Sequence, residues 1–231
     1  KKLRLLLATY PYDSSKRETL GGLLGAVPYW TSFVRLINAH GIMALAAYNI
    51  KEAGMESMVP EQPMAMLENG LRQSIVRNAW LAERWKEVNG ILAGAGIQHL
   101  LLKGMALEHT VYGAKGLRQM TDNDILIQKS DGLRAWELLK KHGYEPVMPK
   151  SVIHKKILIK IHKHLPMLTK NAYALEIHVT LPGKEYTDEN RYKNIFRNAV
   201  EISVNGTPAY IPPASIHLDY LIKHHYDHEQ S

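Results

Sequence analysis

Two aspartates two residues apart, Asp122 and Asp124, lead straight into the apolar run Ile125, Leu126 and Ile127. On a β-strand, residues two apart point to the same face, about 6.5–7 Å apart along the backbone. Carboxylates held in that way repel each other and lose hydration unless a cation lies between them. Hard oxygen ligands suit Mg²⁺, which keeps some of its waters and takes further ligands from phosphate groups. The bland alternative is a solvated turn leading into a strand. Asn123 fits the strand poorly, because it would face the packed side, where an apolar residue is easier to explain.

About one helix upstream, Lys103 and Gly104 follow a second apolar run. Gly104 would let the backbone approach a phosphate closely and start a helix there, with Lys103 placing a cation beside the same phosphate. An ordinary strand-to-helix turn would look the same. Arg118, in a loop with Gly113 and Gly116, is suited to clamping a phosphate or a nucleotide sugar, or is simply a loop arginine. A third carboxylate should come from a neighbouring strand. Glu176 is the candidate, a charged residue in an otherwise apolar stretch that shares its face with His178. There it would serve as a general base or help to hold metal. The alternative is that Glu176 and His178 line a solvated sheet face.

The elements that must position these residues can be read from periodicity. Segments 30–53 and 63–90 carry apolar residues at helical spacing, separated by a proline-containing break. In the second, Leu67, Leu71, Ile75, Asn78, Leu81, Trp85 and Val88 step round one face. Segment 97–102 reads as a buried strand, 105–112 as a helix and 121–128 as a strand. Ser130 is placed to cap a helix through His142, which Gly143 closes. Segments 157–169 and 173–181 read as strands joined by a tight turn at 170–172, followed by a helix over 188–199. Asn205-Gly206 between two short apolar runs predicts a hairpin, and a further helix follows Pro212 and Pro213. The expected fold is α+β. A helical region spans 1–92, a core with a mixed sheet and flanking helices spans 93–212, and a C-terminal helical region starts at 213 and runs to 231.

Composition narrows the class. The 231 residues are 45% hydrophobic and 22% charged, as in ordinary folded proteins. No apolar run approaches the roughly 20 residues that cross a bilayer, so no membrane partner is expected. The opening KKLRLLL is too short for a secretory signal. Lysine rather than methionine stands first, and the last helix reads as interrupted, so the sequence reads as part of a longer chain. With no cysteine, a disulfide framework and a thiolate metal site are excluded, and a cytoplasmic location is expected. The net charge of +7 favours polyanions such as a triphosphate or nucleic acid, or serves solubility alone.

Together, residues 101–113 (LLKGMALEHTVYG) and 116–127 (GLRQMTDNDILI) resemble the uncharacterised nucleotidyltransferase family (nucleotidyltransferase 5 type) of the DNA polymerase β-like superfamily. The matching positions are Lys103 and Gly104, Tyr112, Arg118 and Met120, Asp122 and Asp124, and Glu176 with His178. His142, Gly143 and Tyr144 also fit, and the clear likeness covers about 90–180. Better-known members of the superfamily carry Gly-Ser at the first turn, where this chain has Lys103, Gly104 and Met105. Lys103 then stands in for the serine's phosphate contact, and the third carboxylate is Glu rather than Asp. The resemblance implies a polymerase β-like sheet and attack of an acceptor hydroxyl on the α-phosphate of a nucleoside triphosphate such as ATP, with pyrophosphate leaving. It implies Mg²⁺ or Mn²⁺ held by Asp122, Asp124 and Glu176, and nucleotide contacts from Lys103, Gly104, Arg118 and His178. The acceptor would be a hydroxyl of a small molecule, a protein or RNA.

Two other readings come from different classes. One is a nucleotide-binding or partner-binding module without turnover. The other is a metal-dependent hydrolase built on His154, His162, His164 and His178, or on His224, His225 and His228, with Zn²⁺ or Mn²⁺.

Overall fold

The computed structural model describes residues 1–147, 165–183, 186 and 188–229. Contacts divide the chain into two compact units, one of residues 1–79 and 110–120, the other of residues 80–109 and 121–231. Among the described residues, no helix is long and apolar enough to cross a membrane.

The first unit is helical. Its elements are α1 (Lys2–Leu7), α2 (Arg17–Gly25), α3 (Trp30–Ala39), α4 (Met43–Glu52) and the first part of α5 (Glu61–Gly94). The single helix expected over 30–53 is two helices, because Gly41 adopts φ +62° and breaks the chain direction between α3 and α4. Leu7, Leu24, Val34, Ile37, Ala46, Ala47, Ile50 and Leu67 meet in one buried core. Gly116, at φ +73°, lies against the backbone of Ile75, where a Cβ would have no room. Ile75 is itself 46% exposed, so the apolar stripe read along this helix is interrupted there.

The second unit carries a five-stranded mixed sheet. In chain order its strands are β1 (His99–Leu101), β2 (Asn123–Ile127), β3 (Glu145–Pro146), β4 (Leu168–Lys170) and β5 (Tyr173–His178), and in space they run β1-β2-β5-β4-β3. Among the described residues, β2 and β5 alone pair in parallel, and the other neighbours are antiparallel. Asn171 and Ala172, at φ +50° and +64°, make the tight turn between β4 and β5. Of the strand expected over 157–169, the part before Leu165 lies outside the described residues, as do His154, His162 and His164.

Helix α6 (Lys103–Thr110) links β1 to the stretch before β2, and α7 (Gly132–Lys141) follows β2. Ser130 does not cap α7. Asp131 occupies the cap position and makes no cap bond, its carboxylate being engaged by Arg134. Helix α8 (Glu189–Arg197) has the cap that its sequence offers, with Asp188 accepting from the Arg191 N–H at 2.7 Å. A separate hairpin, β6 (Val200–Val204) and β7 (Thr207–Ile211), turns at Asn205 and Gly206, both at positive φ as the Asn-Gly pair predicts. The last described element is α9 (Ala214–Glu229). Leu100, Leu102, Leu126, Tyr192, Ile195, Phe196 and Tyr220 form a second buried core on one side of the sheet. This is the α+β arrangement expected, with helices flanking a mixed sheet.

Candidate active site

The two strands that carry the acidic residues are brought together by the sheet order itself. β2 and β5 pair in parallel with Asp124 opposite Glu176 and Leu126 opposite His178. Directly paired residues of adjacent strands share a face, so Asp124, Glu176 and His178 all point to one side. Asp124 and His178 are buried, and Glu176 is half-buried.

The next residue along the chain faces the other way. Asn123 is fully buried, and its Nδ2 donates to the Leu81 carbonyl at 3.2 Å and to the Tyr173 hydroxyl at 2.9 Å. A polar residue on the packed face of β2 is therefore explained by two specific partners. Asp122 precedes β2 and is not part of it. The Thr121 hydroxyl donates to its carboxylate at 3.2 Å, and burial followed by the charge of Asp124 pushes its pKa up.

Lys103 enters the same cluster from the turn after β1. The Leu102 N–H still bonds the Asp124 carbonyl, extending the β1–β2 pairing by one residue. The backbone then swings to φ +44° at Lys103, a conformation uncommon for any residue but glycine. Its N–H leaves the sheet and donates to His217 Nε2 on α9 at 3.1 Å. The Lys103 ammonium reaches Asp124 Oδ1 at 2.7 Å and Glu176 Oε2 at 3.3 Å. His178 Nε2 meets the same two oxygens at 2.9 and 3.1 Å.

The Lys103 ammonium, the His178 ring and two carboxylates thus share a small, largely dry volume. Burial alone would lower the pKa of Lys103, but the charges of Asp124 and Glu176 outweigh it and hold the ammonium above the ordinary lysine value. His178 follows the same pattern: burial disfavours its charged form, and bonds to Asp124 and Glu176 more than compensate. Glu176 is held well below the usual carboxylate range; burial raises it, while His178, Asp124 and Lys103 lower it further.

Helix α9 supplies a wall to this cluster. His217 is buried, which pushes its pKa down to about 4 and keeps the ring neutral as an acceptor for the Lys103 N–H. Tyr220 stacks on His217 with ring centroids 6.4 Å apart and meets His178 edge-on at 6.0 Å. Its hydroxyl is buried without a hydrogen-bond partner among the described residues. Neither His217 nor Tyr220 is singled out by the sequence. His217 lies 114 residues from Lys103, and no spacing rule links them. Of the other tail histidines, His224 packs edge-on against Tyr220, and His225 lies tilted against Tyr226.

Asp124, Glu176 and His178 each offer a ligand atom, all within 4.8 Å of one another, and Asp122 is not in that group. Two carboxylates and an imidazole fit a divalent cation, with carboxylate oxygens suited to Mg²⁺ and the imidazole widening the choice to Mn²⁺. Gly104, in the first turn of α6, is half-buried next to Lys103. Arg118 belongs to the helical unit, where its carbonyl accepts from Asn78 Nδ2 at 2.9 Å.

No curated protein sequence matches the chain. A family model does match it over residues 28–231, a span that takes in the Lys103 turn, Asp122 and Asp124, and the Glu176 and His178 end of β5, and the chain belongs to the family so described, the uncharacterised nucleotidyltransferases.

Proposed function

We propose that the protein transfers a nucleoside monophosphate from a nucleoside triphosphate to a hydroxyl acceptor and releases pyrophosphate. Membership of the family supports nucleotidyl transfer in general. The finer reading rests on one observation: Asp124 and Glu176 are register partners on parallel strands, and their carboxylates lie with His178 within 4.8 Å. Carboxylates this close are the usual means of holding a cation against phosphate oxygens.

In this reading the acceptor oxygen attacks the α-phosphorus, a new oxygen–phosphorus bond forms, and the bond to the bridging α–β oxygen breaks. A divalent cation bound by Asp124 and Glu176 would neutralise phosphate charge and make the acceptor hydroxyl more acidic. The remaining roles fall to the chain. Glu176, held well below the carboxylate range, is suited to staying ionised as a ligand. Asp122, pushed upward by burial and by Asp124, is the better acceptor for the proton of the attacking hydroxyl. Lys103 and Gly104 receive the triphosphate at the start of α6, and His178 orients the carboxylate pair. The acceptor is a hydroxyl on a small molecule, a protein side chain or an RNA end.

The test is incubation with each α-labelled nucleoside triphosphate and Mg²⁺ or Mn²⁺. Expected is label transferred to an acceptor, with pyrophosphate released in equal amount. One observation favours a second reading, a binding module without turnover: Lys103 and His178 already occupy the carboxylate pair. Nucleotide binding by calorimetry with no pyrophosphate from any of the four nucleotides would select that reading.

A further inference from the structure

The Lys103 ammonium and a divalent cation have claims on one place. Lys103 Nζ stands 2.7 Å from Asp124 Oδ1 and 3.3 Å from Glu176 Oε2. A divalent ion bonded to the same two oxygens would sit roughly 2.0–2.6 Å from each, close against the ammonium. Two positive charges at that separation in a largely dry site repel strongly. The backbone gives the side chain freedom without moving its base. Lys103 Cα is fixed between the β1–β2 ladder and the bond from its N–H to His217, while a flexible four-carbon stem carries the charge.

We propose that Lys103 is the built-in counter-ion of this site. Its ammonium leaves the Asp124 and Glu176 pair when a divalent cation is taken up, and the triphosphate provides the anion to which it turns. The proposal rests on the nucleotidyl-transfer reading above and adds an order to it. Metal alone binds weakly, because it must displace an internal cation. Metal and triphosphate together bind with positive coupling, because the displaced ammonium gains a new partner.

Lys103→Met separates this coupling from simple chelation of metal by the nucleotide. Methionine keeps a long unbranched stem, and like lysine it carries a side chain at φ +44°, so backbone strain is unchanged. Lys103→Arg retains the charge. Mn²⁺ binding without nucleotide, followed by calorimetry, is expected to be tighter in Lys103→Met by on the order of tenfold, within the ordinary range of coupling between two ligands. Lys103→Arg is expected to stay near the wild type. Melting provides a second readout. Without metal, Lys103→Met should melt below the wild type because two carboxylates have lost their ammonium, and Mn²⁺ should raise its melting temperature more than it raises that of the wild type. Adding Asp124→Asn should abolish that rise.

Equal or weaker Mn²⁺ binding by Lys103→Met, with the wild type still transferring nucleotide, overturns the counter-ion role and leaves the enzyme reading standing. A wild type and a variant that both fail to bind Mn²⁺ and to turn over any triphosphate overturn both. If Lys103→Met folds only with Mn²⁺ present, the same displacement is being read through folding; if it folds in neither condition, the proposal fails.

Discussion

The helical unit and the charged corner of the sheet unit treat buried polarity in opposite ways. In the helical unit two of the buried polar side chains, Asn49 and Asn78, are neutral amides tied to main-chain carbonyls. Asn49 donates to the carbonyls of Leu7, Thr9 and Leu45 at 3.1, 2.9 and 3.0 Å, and Asn78 donates to that of Arg118. In the sheet unit Lys103, Asp124, Glu176 and His178 gather their charges within hydrogen-bonding distance. A buried amide with partners costs little and fixes one arrangement of the chain. A buried ion cluster of similar size is often no more stable than apolar residues in its place, so stability gives no reason to keep it. The amides hold architecture, and the charges mark a site.

The sharpest way to break this contrast is to exchange the two kinds of residue. Asp124→Asn is expected to lower metal-dependent nucleotide transfer by about 10²–10³-fold, the size seen when a group stabilising transition-state charge is lost. Its melting temperature should stay close to that of the wild type. Turnover at the wild-type rate in this variant would end the assignment of the cluster as a site. Asn49→Leu should do the reverse. It strands the Leu7 and Thr9 carbonyls and is expected to lower stability by about 2–4 kcal/mol in urea titration, with nucleotide affinity unchanged.

Gly116→Ala sharpens the architectural half of the contrast. Its Cβ would stand 2.7 Å from the Ile75 Cα at a φ of +73°, so a loss of about 2–3 kcal/mol is expected, again without effect on nucleotide affinity. A fully stable Gly116→Ala would show that the loop relaxes around it.

The smallest effect concerns His217. Burial lowers its pKa from 6.5 to about 4, so the unfolded chain binds a proton that the folded chain refuses between those values. Its contribution to stability is therefore complete above about pH 6.5 and is lost as pH falls towards about 4. Urea midpoints of the wild type and His217→Gln should draw together over that window. A constant gap would mean that the ring is not held neutral.

Much of the scaffold was legible in the sequence, and the reasons differ from element to element. The β6–β7 hairpin followed from Asn205 and Gly206, since both turn residues need positive φ. The Asp124 and Glu176 strands were legible because a charge in an apolar stretch needs a cause, and the parallel register sets the two side by side. Where one strand ends was less visible. Asp122 falls outside β2 because the chain bends at Thr121 and Asp122 before the ladder begins. The break between α3 and α4 is not legible, because helical periodicity on both sides hides the turn at Gly41. The partners of Asn123 and Lys103 lie 42 and 114 residues away, and contacts over such separations leave no periodic trace. Tertiary packing chooses them.

The alternation along β2 has a consequence for how the sheet must assemble. A slip of one residue against β5 would turn the Asp124 carboxylate toward Leu81 and Tyr173 and carry the Asn123 amide to the lysine and histidine. Such a misaligned sheet would strand an unpaired anion in apolar surroundings. The same two neighbouring residues that divide structure from chemistry therefore also act as a proofreading mark for strand alignment.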